Sequence, residues 1–249
     1  MQRKLRDAKR FPKTKYITIG GVIRARLVAH RMGMESFASG GKTIRMNVQE
    51  PAGEGPFPAI LLVHGAGGNV DFWLDRIAPA VTRMGIAVYA VHYFDRTGTV
   101  RADAVAVRDE TTVRAWLGTV RDAVKWVAAR PKVNAKRVAL LGISLGAYLS
   151  LALGAEDGTK DVRAIVDVSG GLAAPQDAMA TKEFPPTLIV HGEADTVVAV
   201  SEGMRVEAVL KRLGVAHEKL LLPGEGHWFS AGAQLRILAA VAGFLGKHL

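Results

Sequence analysis

Three observations place this chain in the α/β class. Ala59-Ile60-Leu61-Leu62-Val63 is an unbroken apolar run, as expected of a parallel strand covered on both faces. From there on, apolar runs alternate with stretches whose apolar residues recur every three or four positions. One of those runs breaks at Gly142-Ile143-Ser144-Leu145-Gly146 straight into a helical pattern. Together they predict a mostly parallel sheet with helices on both faces. At 249 residues, 49% of them apolar, the chain can bury one large core, and no composition shift marks a second domain. The division expected is a basic extension over residues 1–33 and one domain over 34–249.

The net charge of +10 is uneven. Residues 1–15 hold seven Lys and Arg against Asp7, or 7 − 1 = +6, which leaves +4 for the rest. Such an arm is a solvated terminus or, less commonly, a contact to nucleic acid or a membrane surface. No secretory signal is read, because Tyr16 to Ile23 is short, interrupted by Thr18, Gly20 and Gly21, and followed by Arg24 and Arg26. No run of about 18 apolar residues occurs, so a cytoplasmic protein is the expectation. The absence of cysteine excludes disulfides, thiolate metal sites and a cysteine nucleophile.

In order, residues 16–29 alternate around Gly20-Gly21 and predict a hairpin. A second hairpin is expected over 35–49, turning at Ser39-Gly40-Gly41-Lys42, then a loop from Pro51 to Pro58 and the strand 59–63. A helix over about 70–84 precedes a strand at 86–91 and a loop. The helix expected over 110–129 carries Val113, Trp116, Val120, Val124 and Val127 on one stripe and ends before Pro131. Strands are expected at 138–142, 162–168, 187–190 and 218–222. Helices follow the first, third and fourth of these, the last two over about 201–213 and 233–247; residues 169–186 are a loop, too short for a helical cap.

The Gly-x-Ser-x-Gly turn reads as a nucleophile elbow, which lifts a serine hydroxyl out of a tight strand-to-helix turn. Side chains at 142 or 146 would collide there. A serine hydroxyl needs a base, and the base needs a group to hold its tautomer. Asp195, in His191-Gly192-Glu193-Ala194-Asp195, and His227, in Pro223-Gly224-Glu225-Gly226-His227, each follow a strand in the order Ser, Asp, His. Asp167 is the competing acid, but its neighbours read as buried strand. His64, His92 and His191 stand at strand ends, where a hydrogen bond to a loop is their ordinary role. An oxyanion formed at Ser144 needs two N–H donors: Leu145, directly after the serine, and Ala66 in His64-Gly65-Ala66-Gly67-Gly68. Tyr93, Phe94, Met179, Trp228 and Phe229 are candidate pocket walls or core. Arg96 is a candidate partner for a substrate carboxylate, or for nearby Asp95.

These residues resemble the dienelactone hydrolase family of the α/β-hydrolase superfamily. The resemblance covers about residues 35–249 and rests on Ser39-Gly40-Gly41-Lys42-Thr43-Ile44-Arg45, the 64–68 and 142–146 segments, Tyr93-Phe94-Asp95-Arg96-Thr97-Gly98-Thr99, and the two loops of Asp195 and His227. It implies an eight-stranded α/β-hydrolase sheet without a large cap domain, and a triad at Ser144, Asp195 and His227. Founding members of the family carry cysteine where this chain has Ser144, so the resemblance implies a serine carboxylesterase rather than a dienelactone ring opener. The expected substrate is a small-molecule ester or lactone, and the chemistry calls for no cofactor and no metal. The rival readings are a peptidase or amidase using the same residues, and a non-catalytic binding protein on the same scaffold.

Overall fold

The computed structural model describes residues 31–158 and 160–249. The basic arm and the hairpin expected at 16–29 lie outside the described residues. The chain enters the sheet at Arg31, inside the stretch assigned above to the extension.

β1 (Arg31–Ser39) and β2 (Lys42–Glu50) form the second expected hairpin, turning at Gly40-Gly41. β3 (Phe57–Val63) carries the unbroken apolar run and is buried from Ala59 onward. α1 (Val70–Arg83), β4 (Ala87–Val91), α2 (Glu110–Ala128), β5 (Val133–Ile143) and α3 (Leu145–Asp157) follow. The remaining elements are β6 (Ala164–Val168), α4 (Ala174–Met179), β7 (Thr187–Gly192), α5 (Val200–Leu213), β8 (His217–Leu222) and α6 (Ala231–His248).

The eight strands form one sheet in the order β1-β2-β4-β3-β5-β6-β7-β8. β1, β2 and β4 pair antiparallel, and every pair from β4 through β3 to β8 is parallel. The parallel strands therefore point their carboxyl ends at one edge, where ligands of open α/β sheets bind. One face packs against α2, α3 and α5 through Leu61, Tyr89, Leu140, Trp116, Val124 and Leu149; the other packs against α1 and α6 through Ile60, Leu62, Val88, Leu74 and Phe244.

Two short elements stand where only loops are expected: a 3₁₀ turn over Tyr93–Arg96 and the six-residue α4. Each is about one or two turns long, too short to leave a periodic pattern. β5 starts five residues earlier than its apolar run, because Asn134 to Arg137 lie below the sheet core and stay polar. Among the described residues, no helix is long and apolar enough to cross a membrane.

Candidate active site

The site is built on the break between β5 and α3. Ser144 has φ 54° and ψ −119°, a left-handed backbone that a serine adopts only under constraint. Its N–H donates to the Val168 carbonyl at 2.8 Å, tying the turn to β6. Flanking glycines are a steric requirement. A Cβ on Gly142 would lie 2.5 Å from Ala147 Cα, and one on Gly146 would run into the Val63 and His64 carbonyls. Ser144 itself occupies the N-cap of α3, yet its side chain caps nothing. The hydroxyl is engaged elsewhere.

His227 Nε2 lies 3.1 Å from Ser144 Oγ, and His227 Nδ1 lies 2.8 Å from Asp195 Oδ2. The other Asp195 oxygen accepts the N–H groups of Val197 and Val198 at 2.8 and 2.9 Å. Burial pushes this carboxyl up, but the hydrogen bonds from His227, Val198 and Val197 outweigh it and hold Asp195 below its ordinary value. An ionised carboxylate only accepts, so Nδ1 carries the proton and Nε2 is left to accept from the serine hydroxyl.

Glu193 N–H donates to the Leu222 carbonyl and Ala194 N–H to the Glu225 carbonyl, so the acid and histidine loops are laced together. A Cβ on Gly192 would strike the Glu225 and Gly226 carbonyls. Glu225 also accepts from Ser230 N–H and Oγ–H at 2.8 and 2.6 Å, fixing the path into α6. Neither Glu225 nor the Val197 and Val198 amides is singled out by sequence reasoning. Glu225 does stand five residues before the Ser230 that caps α6, and that spacing is the signal available.

The loop after β3 meets the elbow directly, since a Cβ on Gly65 would lie 3.3 Å from Ser144 Cβ. Among the described residues, the N–H groups of Ala66 and Leu145 donate to no protein acceptor. Ala66 is held through its carbonyl, which accepts Ala102 N–H at 2.9 Å.

The other expected site residues are placed as follows. Tyr93 and Phe94 are core: the Tyr93 hydroxyl donates to the His64 carbonyl at 2.9 Å, and its ring stacks on His64 at 4.2 Å. Burial pushes His64 down to about 4, so it is neutral and its Nδ1–H donates to the Gly65 carbonyl at 2.8 Å. Tyr93 props the loop from below, while Phe94, packed in the core, also lines a polar hollow of about 600 Å³ beside it. Arg96 donates to the Gly40 carbonyl in the β1–β2 turn, while Asp95 takes a two-pronged bond from Arg45 at 2.9 and 2.7 Å. The expected Arg96–Asp95 pair is not formed. Met179 is exposed at the end of α4.

Trp228 and Phe229 do line a cavity, an apolar crevice of about 610 Å³ between α1 and α6. Its other aromatics, Phe72 and Trp73, are missed by sequence reasoning, although two adjacent aromatics in the first turn of a helix that follows the Gly-rich loop are a visible signal. Asp167 is fully buried with Oδ1 on Gly170 N–H at 2.9 Å, and it does not reach His227. His191 bonds the Val198 carbonyl at 2.9 Å, the loop-holding role expected of strand-end histidines, whereas His92 bonds Asn47 on the neighbouring strand β2.

The family described as "Dienelactone hydrolase family" matches residues 44–239. Acyl-coenzyme A thioesterase 1 of Mus musculus is 28% identical over 152 residues, 60% of this chain and 33% of that protein. Esterase EstD of Thermotoga maritima is 36% identical over 107 residues, 40% of this chain and 24% of that protein. The chain thus spans about a quarter to a third of the length of these two relatives. Among solved structures, a dienelactone hydrolase-like promiscuous phosphotriesterase from metagenomic libraries superposes with a TM-score of 0.72 at 20% identity, covering 88% of this chain and 99% of that one.

Proposed function

The chain belongs to the dienelactone hydrolase family, and on that premise we propose that it is a serine hydrolase of carboxylic esters or lactones, working through Ser144, His227 and Asp195. The observation that carries this reading is the continuous hydrogen-bonded chain from Ser144 Oγ through His227 to Asp195, 3.1 and 2.8 Å long in its two links.

Each residue has a distinct task. His227 Nε2 takes the proton as Ser144 Oγ attacks the carbonyl carbon. Asp195 keeps the imidazole in the Nδ1–H tautomer and stabilises the cation that forms. The tetrahedral oxyanion is received by the Ala66 and Leu145 N–H groups; each such donor contributes about 10²–10³ in kcat. The fixed Ala66 carbonyl and the neutral His64 beneath the loop hold these donors without reorganisation. His227 then protonates the leaving oxygen, and water enters by the reverse route to release the acid. The domain over 34–249, with β1 joined to it from Arg31, carries all these residues.

Thioesters are the second reading, favoured by the similarity to an acyl-coenzyme A thioesterase. The same residues serve, with a thiolate as the leaving group. Turnover of a matched ester, thioester and amide by wild type and Ser144→Ala tests both. Ester or thioester hydrolysis is expected in wild type, falling at least about 10³-fold in the variant. Undiminished turnover in Ser144→Ala, or turnover of the amide alone, contradicts the proposal.

A further inference from the structure

The apolar crevice beside His227 takes no part in the steps of ester cleavage. Its floor is the top of the sheet, Ile143 and Val168, which pair in register, and its walls are Trp73 and Ile77 on α1 facing Leu238 and Val241 on α6. At the mouth Trp228 stands 70% exposed and stacks on Trp73, with ring centroids 6.4 Å apart and planes 11° from parallel. The helices on this face part at the β5 and β6 carboxyl ends, so that the largely buried Ile143 and Val168 line the floor of the gap. A hydrophobic cleft of this volume falls in the range of small-molecule sites, about 300–1,000 Å³.

Two features tie the crevice to the reaction rather than to general surface apolarity. Ile143 on the floor immediately precedes Ser144, and Val168 supplies the carbonyl that holds the Ser144 N–H. Trp228 follows His227 and sets its ring edge-on to the imidazole at 5.6 Å. Trp228 thus belongs both to the His227 loop and to the crevice wall.

The chemistry inside is uniform. Besides the indole N–H groups of Trp73 and Trp228, Arg76 and Gln234 bring polar side chains to the lining, and each makes a hydrogen bond to the backbone of the protein. Arg76 donates to the Phe72 carbonyl at 3.0 Å and lies 3.4 Å over the Phe72 ring, while Gln234 donates to the Phe229 carbonyl at 2.8 Å. Apolar side chains make up most of the lining, so a ligand there is held mainly by its apolar surface. The polar hollow of about 600 Å³ bounded by Arg45, His64 and His92 is a separate space, across the first turn of α1.

Resting on the hydrolase reading, we propose that the crevice between α1 and α6 binds the aliphatic chain of the ester substrate, so that esters with a long chain are preferred over acetates and ethyl esters. Each methylene removed from water there favours binding by up to about fourfold. The chain belongs either to the acid or to the alcohol, and matched pairs separate the two: 4-nitrophenyl octanoate against 4-nitrophenyl acetate, and octyl acetate against ethyl acetate.

The expected result is a kcat/KM ratio of long to short of at least about tenfold in one pair. Narrowing the crevice with Leu238→Trp, or with Ile77→Trp from the opposite wall, should bring that ratio to within about twofold of unity. A flat profile in both pairs with wild type, which needs no variant to fold, overturns the proposal while the hydrolase reading stands. A preference that persists in both folded variants also overturns it, and leaves the crevice to another occupant such as a second copy of the chain. Failure to turn over either member of both pairs overturns the carboxylic-ester reading, and this proposal with it.

Discussion

Asp167 and Asp195 stand at the ends of neighbouring strands and are held in opposite charge states. Asp195 has three N–H partners and is kept ionised. Asp167 has one, from Gly170, its second oxygen is unpartnered, and burial pushes it up to about 7. Because the unfolded chain releases this proton near the ordinary carboxylate value, the folded state holds the extra proton between there and about pH 7. The stability it confers is thus present at low pH and lost as pH rises through about 7. Asp167→Asn mimics the protonated form. It should match wild type near pH 4 and exceed it at pH 8 by on the order of 2–4 kcal/mol, read from denaturant melts at the two pH values. Equal stability at pH 8, or a loss there, would show that the carboxylate is accommodated. The choice of Asp195 was legible from its loop position alone. The burial and the single partner of Asp167 were not, since they depend on how α3 and the 169–172 segment close over β6. For the same reason Tyr93 and Phe94 read equally well as wall or core, and only the packing shows Tyr93 as core under His64 and Phe94 as both core and lining of the polar hollow.

The elbow was the most legible element, because its glycines answer to a backbone-to-backbone approach that few other residues survive. Gly146→Ala should abolish the native state or lower its stability by at least about 3 kcal/mol, since the obstructing atoms are carbonyl oxygens that cannot swing aside. Gly118 provides the contrast. It lies inside α2 with nothing within 4 Å of an added Cβ, so Gly118→Ala should raise stability by about 0.5–1 kcal/mol through helix propensity. Thermal melts of the two variants check both; a Gly146→Ala protein as stable as wild type would mean that the end of β3 and α3 approach less closely than these contacts require. Strands such as β3 and β7 were legible because burial on both faces leaves unbroken apolar runs. The 3₁₀ turn and α4 were not, being too short to repeat a helical pattern.

Across the whole molecule, the residues proposed to react come from three turns and loops at one sheet edge, separated by 51 positions from Ser144 to Asp195 and by 32 from Asp195 to His227. Their chain order could be read, because parallel strands carry every such loop to the same edge. The crevice could not, because it depends on the spacing of α1 and α6 above the sheet. Activation of Ser144 by its neighbours is the central claim, and covalent labelling addresses it without knowledge of the substrate. The decisive measurement is the intact mass of the full chain after exposure to a fluorophosphonate, for wild type, Ser144→Ala and His227→Ala. One adduct is expected on wild type, none on Ser144→Ala, and labelling slowed at least about 10³-fold on His227→Ala. An unlabelled, folded wild-type protein, or an adduct that survives in Ser144→Ala, would contradict it.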